Sequence, residues 1–128
     1  KGIAMINTVA IPVATQNFTR FANSRQFACY AGLAPFGSQS GSSINVAHHV
    51  SHLANKKIKV LLTQAALCAV RHDTNTGRYY LRKKADGKND RVTVINIRNK
   101  LVHRIFATVR TGNFYQVDIK KPLNKKSA

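Results

Sequence analysis

Acidic side chains are the scarcest resource in this sequence: it has no glutamate, and its four acids are Asp73, Asp86, Asp90 and Asp118. Against them stand 21 lysines and arginines, for a formal net charge of +17. A chain so short of anions repels itself on compaction, and a polyanionic partner relieves that repulsion. Nucleic acid is the commonest such partner; an anionic membrane surface ordinarily needs a strongly apolar helical face or a lipid signal. No run of about 18 apolar residues occurs, so no membrane span is expected. Cysteine is scarce too. Cys29 and Cys68 lie in apolar helical contexts and read as buried free thiols of a reducing cytoplasm, not as a disulfide. No initiator methionine or basic-then-apolar leader opens the chain, a start that fits a piece of a longer protein and equally a processed one.

What is present suffices for one core. Apolar residues make up 44% of the 128, enough for burial to offset the entropy of ordering. INTVAIPVAT reads as a short helix weakened by Pro12, whose ring and missing N–H disturb a helix interior. Asn23 or Ser24 can cap NSRQFACYAGL, with Gln26 as capping-box partner and Gly32 and Pro35 closing it. Residues 34–47 read as a loop. The best helix candidate runs from Ser51 to His72, where Leu53, Ile58, Leu61, Leu62, Ala65, Ala66 and Ala69 recur at spacings of three and four. Asn55 is a good cap within it, so a break before that residue is compatible with the pattern.

TNTGRYYLRKKADG suggests a shorter helix stopped at Gly87. Asp90 can then cap RVTVINIRNKLVHRIFATVRTG, with Val92, Ile95, Val102, Ile105 or Phe106, and Val109 as its stripe and Gly112 as terminator. The β-branched run VTVINI leaves the start of this element ambiguous with a strand. KKPLNKKSA reads as a solvated basic tail. The expectation is an all-α domain of four to five helices over residues 1–115, followed by a tail over 116–128.

Three groups of residues carry chemistry. The first is the cations on the helical segments, among them Lys56, Lys57, Lys59, Arg98 and Lys100. They neutralise phosphates and release counterions, which favours nucleic acid in a salt-sensitive way. Tyr79 and Tyr80 interleave with this charge, and stacking on bases competes with core packing for them. The second group is His48, His49 and His52, whose spacing would let two meet one metal. No third strong ligand follows and no HExxH pattern exists, so phosphate contact or an ordinary surface histidine is the better reading.

The third is GSQSGSSI, residues 37–44, uncharged in a charged chain. A Gly/Ser stretch is most often a connector. A serine nucleophile needs a base, a metal or preorganised charge, and no carboxylate lies within thirty residues of Ser40 on either side.

The order of these features resembles one family. QFACYAGLAPFGSQSGSSI is similar to the "Q-h-A-a-h-A-G-L-x-P" segment and S-G loop of the insertion-sequence one-ten transposases (h apolar, a small or aromatic). GIAMINTVA resembles that family's helix-hairpin-helix-like "G-I-G…T-A" opening, and VSHLANKKIKVLLTQAA its "h-S-K-x-G-N-x-x-L-R-x-x-L-x-x-A-A". GKNDRVTVINIRNKLVHRIFATVRTG resembles its closing "G-K…h-A-x-x-x-R-K-L-h" segment. Phe36, Gly37 and Asn45 stand where the family often has cations, Ala54 replaces a glycine and Lys59 an arginine.

The resemblance implies that Ser40 attacks a DNA phosphodiester to form a covalent phosphoserine. With it go expected nucleic-acid contacts at Gly41, where a DNA backbone can approach closely, at Ser42 and Ser43 beside it, and at His48, His49 or His52 as substitutes for the cations the family carries there. A separate RuvC-like domain of the same protein would hold Mg2+, with no cofactor in this chain. A bridge RNA guide, homo-oligomerisation of the full-length protein and a nucleoid setting in a bacterium or archaeon are implied as well. The alternative from charge alone is a non-catalytic basic nucleic-acid-binding module.

Overall fold

The computed structural model describes residues 3, 5–34, 39–40, 44–45 and 53–116, with the two short pieces described by their backbone. Its elements are α1 (Met5–Thr15), α2 (Ser24–Tyr30), β1 (Gln39–Ser40), β2 (Ile44–Asn45), α3 (Lys56–His72), α4 (Thr74–Ala85) and α5 (Asp90–Thr111). The fold is all-α as expected: among the described residues there are five helices and one two-residue antiparallel pair. The helix pattern VTVINI, ambiguous by propensity, lies wholly inside α5. Burial of Ile97, Leu101 and Val102 farther along α5 outweighs the modest helix cost of β-branching.

Helix ends follow side-chain chemistry. Asn23 accepts from the N–H of Gln26 at 2.9 Å, while the Gln26 carboxamide accepts from the N–H of Ala22 at 2.9 Å. The reciprocal bond therefore reaches one residue upstream of the cap. Asn55 starts α3, accepting from Ile58 N–H at 3.1 Å, so the helix begins at Lys56 and not at Ser51. Leu53 consequently leaves the expected stripe and is 92% exposed. Asn89 caps α5 in place of Asp90, which becomes the first helical residue.

α1 runs through Pro12 to Thr15, because its Asn7, Ile11 and Thr15 face packs into the domain against α3. Thr15 Oγ1 donates to the Ile11 carbonyl at 2.8 Å and accepts from Phe18 N–H at 3.1 Å. The chain then reverses through three left-handed residues, Gln16, Asn17 and Phe18, at φ of 50°, 54° and 65°. Non-glycine residues pay for this conformation. What it achieves is delivery of the Phe18 ring to Phe106 of α5, at 5.2 Å between centroids.

The interior has two parts along α3. One holds Ile11, Phe27, Ala28, Leu33, Ile58, Leu62 and Val102, ringed by Phe18, Phe21, Tyr30 and Phe106. Phe27 is fully buried there, between Phe21 at 5.5 Å and Phe106 at 5.5 Å. The other part holds Ala65, Ala66, Ala69, Ile97 and Leu101, flanked by Tyr79 and Tyr80. Three alanines on one face of α3 let α4 and α5 approach closely.

Two expectations need correction here. On α5 the buried set is Thr93, Ile97, Arg98, Leu101 and Val102, whereas Val92 and Val109 are 48% and 50% exposed. Thr93 can enter the core because its hydroxyl donates to the Asn89 carbonyl at 3.1 Å. Cys29 and Cys68 are indeed free thiols, but Cys29 is only half-buried and Cys68 is exposed on the outer side of α3.

Candidate functional site

The described residues on either side of the Ser40 stretch, Tyr30 before it and Asn55 after it, meet in space. Asn55 N–H donates to the Tyr30 carbonyl at 2.9 Å, and its side-chain Nδ2 donates to the Tyr30 phenol oxygen at 2.9 Å. With its Oδ1 on Ile58, every polar group of the Asn55 side chain is used. Tyr30 is itself braced by Phe21, at 5.2 Å, and by the Arg20 guanidinium, 4.9 Å above its ring. The clasp holds the two ends of the excursion together on the aromatic half of the core.

Within the excursion Ser40 ends β1 and pairs with Ile44, while Gln39 pairs with Asn45. An antiparallel register of this kind places Ser40 next to the connection between the two strands. Gly41, Ser42, Ser43, His48, His49 and His52 lie outside the described residues, as does Pro35. Gly2 and Ala4 of the helix-hairpin-helix-like opening and the basic tail beyond Gln116 lie outside them too, whereas from Met5 onward that opening enters α1.

The remaining expected residues separate into different environments. Lys56 and Lys57 are exposed in the first turn of α3, directly after the clasp, and that turn contains no acid. A helix N-terminus is already electropositive, so two lysines there oppose the dipole and suit an anion. Lys59 is half-buried one turn in. Lys100 is exposed, its ammonium 3.5 Å from the centroid of Tyr79.

Arg98, expected among the solvent-facing cations, is instead 8% exposed. Its Nη1 donates to Thr63 Oγ1 at 2.9 Å, and its Nε has no partner among the described residues. Burial lowers its pKa from the ordinary arginine value. The position follows from the stripe correction: Arg98 sits on the buried side of α5, between Ile97 and Val102.

Asp73, unremarked in sequence, joins two helices and anchors a third. It ends α3 and caps α4: its N–H donates to the Ala69 carbonyl at 2.9 Å, and its Oδ2 accepts from the Thr76 N–H and hydroxyl. Arg104 Nη1 of α5 donates to the same oxygen at 3.3 Å. A cavity of about 380 Å³ opens beside this network between α1 and α5, and its walls are mostly apolar. Among the described residues no group of three His, Cys, Asp or Glu gathers as a metal site would need. Asp86 is held by Lys83 at 3.0 Å, which keeps its carboxyl below the usual aspartate range, and Asp90 lies 3.8 Å from Lys84. No described helix is long and apolar enough to cross a membrane.

Comparison with known proteins decides the family. Residues 1–81 match the profile of the transposase IS116/IS110/IS902 family. The chain belongs to that family. The matched span of this IS116/IS110/IS902 transposase sequence takes in α1, the clasp, Ser40, α3 and most of α4. Over 115 residues it is 28% identical to the insertion element IS110 uncharacterized 43.6 kDa protein of Streptomyces coelicolor, covering 90% of this chain and 28% of that protein. Over 97 residues it is 32% identical to the putative transposase y4rJ of Sinorhizobium fredii, covering 72% of this chain and 24% of that protein. The IS110-type chain therefore spans about a quarter of the length of these curated relatives.

The clasp was the feature least visible in sequence. Asn55 was readable as a cap, but its pairing with Tyr30 joins residues 25 apart through space. No local pattern encodes such a pair.

Proposed function

We propose that this chain is the serine-bearing, C-terminal domain of an IS110-type transposase that breaks and rejoins DNA. Membership of the family across a span that contains Ser40 carries the reading. In the proposed step the Ser40 oxygen bonds to a phosphodiester phosphorus. The bond from that phosphorus to one deoxyribose oxygen breaks, the serine proton passes to a base, and the departing oxygen takes up a proton. The phosphoserine ester conserves the bond for transfer to a second strand's hydroxyl.

The clasp supports this role by fixing both ends of the serine excursion to the core, which limits the positions the nucleophile can sample. Lys56 and Lys57 border the returning end and suit a phosphate. Gly41 would allow close approach of a DNA backbone, with Ser42, Ser43, His48, His49 and His52 beside it. Mg2+ is expected in a separate RuvC-like domain, where it would stabilise developing charge. Asp73, Asp86 and Asp90 are engaged with cations of this chain and do not fit such a metal. The same proposal includes DNA and a bridge RNA as partners, a homo-oligomer, and action at the nucleoid.

The test is a strand-exchange assay with the full-length transposase, its RNA and its DNA. Ser40→Ala should abolish exchange and the covalent protein–DNA adduct while leaving DNA binding within about twofold. Recombination at the wild-type rate in that variant would overturn the serine mechanism and leave a basic binding module.

A further inference from the structure

Three cations lie over two aromatic rings along the face where α4 meets α5. The Tyr79 ring, packed at its base against the alanine half of the core, carries the Lys100 ammonium at 3.5 Å and the Arg82 guanidinium at 5.5 Å. One turn beyond Lys100, the Arg104 guanidinium lies 4.7 Å from the ring of Tyr115. Tyr115 is tied back to α4 by Asn75, whose Nδ2 donates to the phenol oxygen at 3.3 Å. The neighbouring Phe114 is 93% exposed.

This row is short of counter-charge. The Lys100 pKa is lowered by partial burial and then by Arg104, Arg82 and Lys83, three cations close enough to resist its charge. The nearby acids are already committed: Asp73 to Arg104 and Thr76, Asp86 to Lys83, Asp90 to Lys84. Arg82 and Lys100 thus face ring π-clouds, which orient a cation without neutralising it. An ordinary solvated basic face needs no such scaffold, because mobile lysines and arginines avoid one another when free to do so.

We infer that the row Arg82–Tyr79–Lys100–Arg104–Tyr115 binds single-stranded nucleic acid, with phosphates on Arg82 and Lys100 and a base stacked on the ring of Phe114. Aromatic rings beside a cationic track are what a single strand recognises, since its bases have free faces. A duplex hides those faces and would use the cations alone. The inference rests on the nucleic-acid half of the proposed function but not on the serine chemistry, so the two fail separately.

The test measures binding of a short oligo(dT), and of a duplex of equal length, to the full chain across a series of salt concentrations. Phe114→Ala should weaken oligo(dT) binding about tenfold and leave the duplex unchanged. Phe114 is exposed, so the fold should survive, which helical circular dichroism verifies. The pair Arg82→Gln with Lys100→Gln should reduce the slope of log K against log salt by about 1.4, two phosphates at about 0.7 each for a single strand. The charge-matched pair Arg25→Gln with Arg91→Gln, off this row, should change that slope by less than half as much. Wild-type oligo(dT) affinity in Phe114→Ala, or equal slope changes in the two charge pairs, would overturn the inference.

Discussion

Arg98 and Lys100 stand two residues apart on α5, and a linear reading gives them the same task. The helix sends them to opposite surroundings. Lys100 reaches the outer face and meets Tyr79, while Arg98 enters between α5 and α3 and meets Thr63. A guanidinium that is 8% exposed, with its Nε unbonded among the described residues, costs desolvation that one hydrogen bond does not return. Replacement of a buried charge by an apolar side chain of similar length is often neutral or stabilising. Arg98→Met should therefore change unfolding free energy by between zero and about +2 kcal/mol in urea denaturation. Thr63 keeps a partner in that variant, since its hydroxyl donates to the Lys59 carbonyl at 2.7 Å. Affinity for nucleic acid should stay within twofold. A tenfold loss with an unchanged fold would return Arg98 to the binding surface.

Elements joined by tight corners depend on how closely their backbones can approach. α3 ends at Asp73 and α4 begins one residue later, so the two helices diverge from a shared residue. Gly77 lies one turn into α4, where an added Cβ would stand 2.9 Å from the backbone carbonyl oxygen of Val70. Alanine gains about 1 kcal/mol of helix propensity over glycine, but a clash with a backbone atom costs about 1–3 kcal/mol because it cannot rotate away. Gly77→Ala should accordingly lower the unfolding free energy by about 1 kcal/mol, read as a lowered urea midpoint with the m-value preserved. A raised midpoint would mean that the corner opens freely. Caps were the most legible elements, since Asn23 and Asn55 act through bonds three residues long. The stripe of α5 was not, because its buried face includes Thr93 and Arg98, and hydropathy alone assigns both outward. α1 defeated a rule in the other direction: Pro12 argues against a helix locally, and packing of Ile11 and Thr15 prevails.

At the scale of the whole chain, charge is legible from composition and its placement is not. The serine loop stood out by an ordered set of motifs, whereas the Tyr30–Asn55 clasp and the cation–ring row arise only when distant segments meet. The row and the clasp are both places where the fold spends local electrostatic or geometric freedom, and α1 is the contrast. No charged residue occurs from Gly2 to Thr19, and Met5, Ile6, Val9 and Val13 are exposed on its outer side. Cations are therefore concentrated on the remaining surface. Three ion pairs occur among the described residues, and two of them are exposed enough to contribute little. Salt screens attraction and repulsion alike over about 10 Å at 0.1 M, so the sign of its effect reports which dominates. With +17 and few acids, repulsion dominates, and added salt should stabilise. The melting temperature should rise by roughly 5 °C, about 1 kcal/mol for a domain of this size, between about 20 mM and 500 mM sodium chloride without nucleic acid. Oligo(dT) at low salt should raise it further by mass action, and that increment should vanish at high salt as binding is lost. A melting temperature that falls with salt would mean the few ion pairs, with Asp73 and Arg104 foremost, outweigh the repulsion of the entire cationic surface.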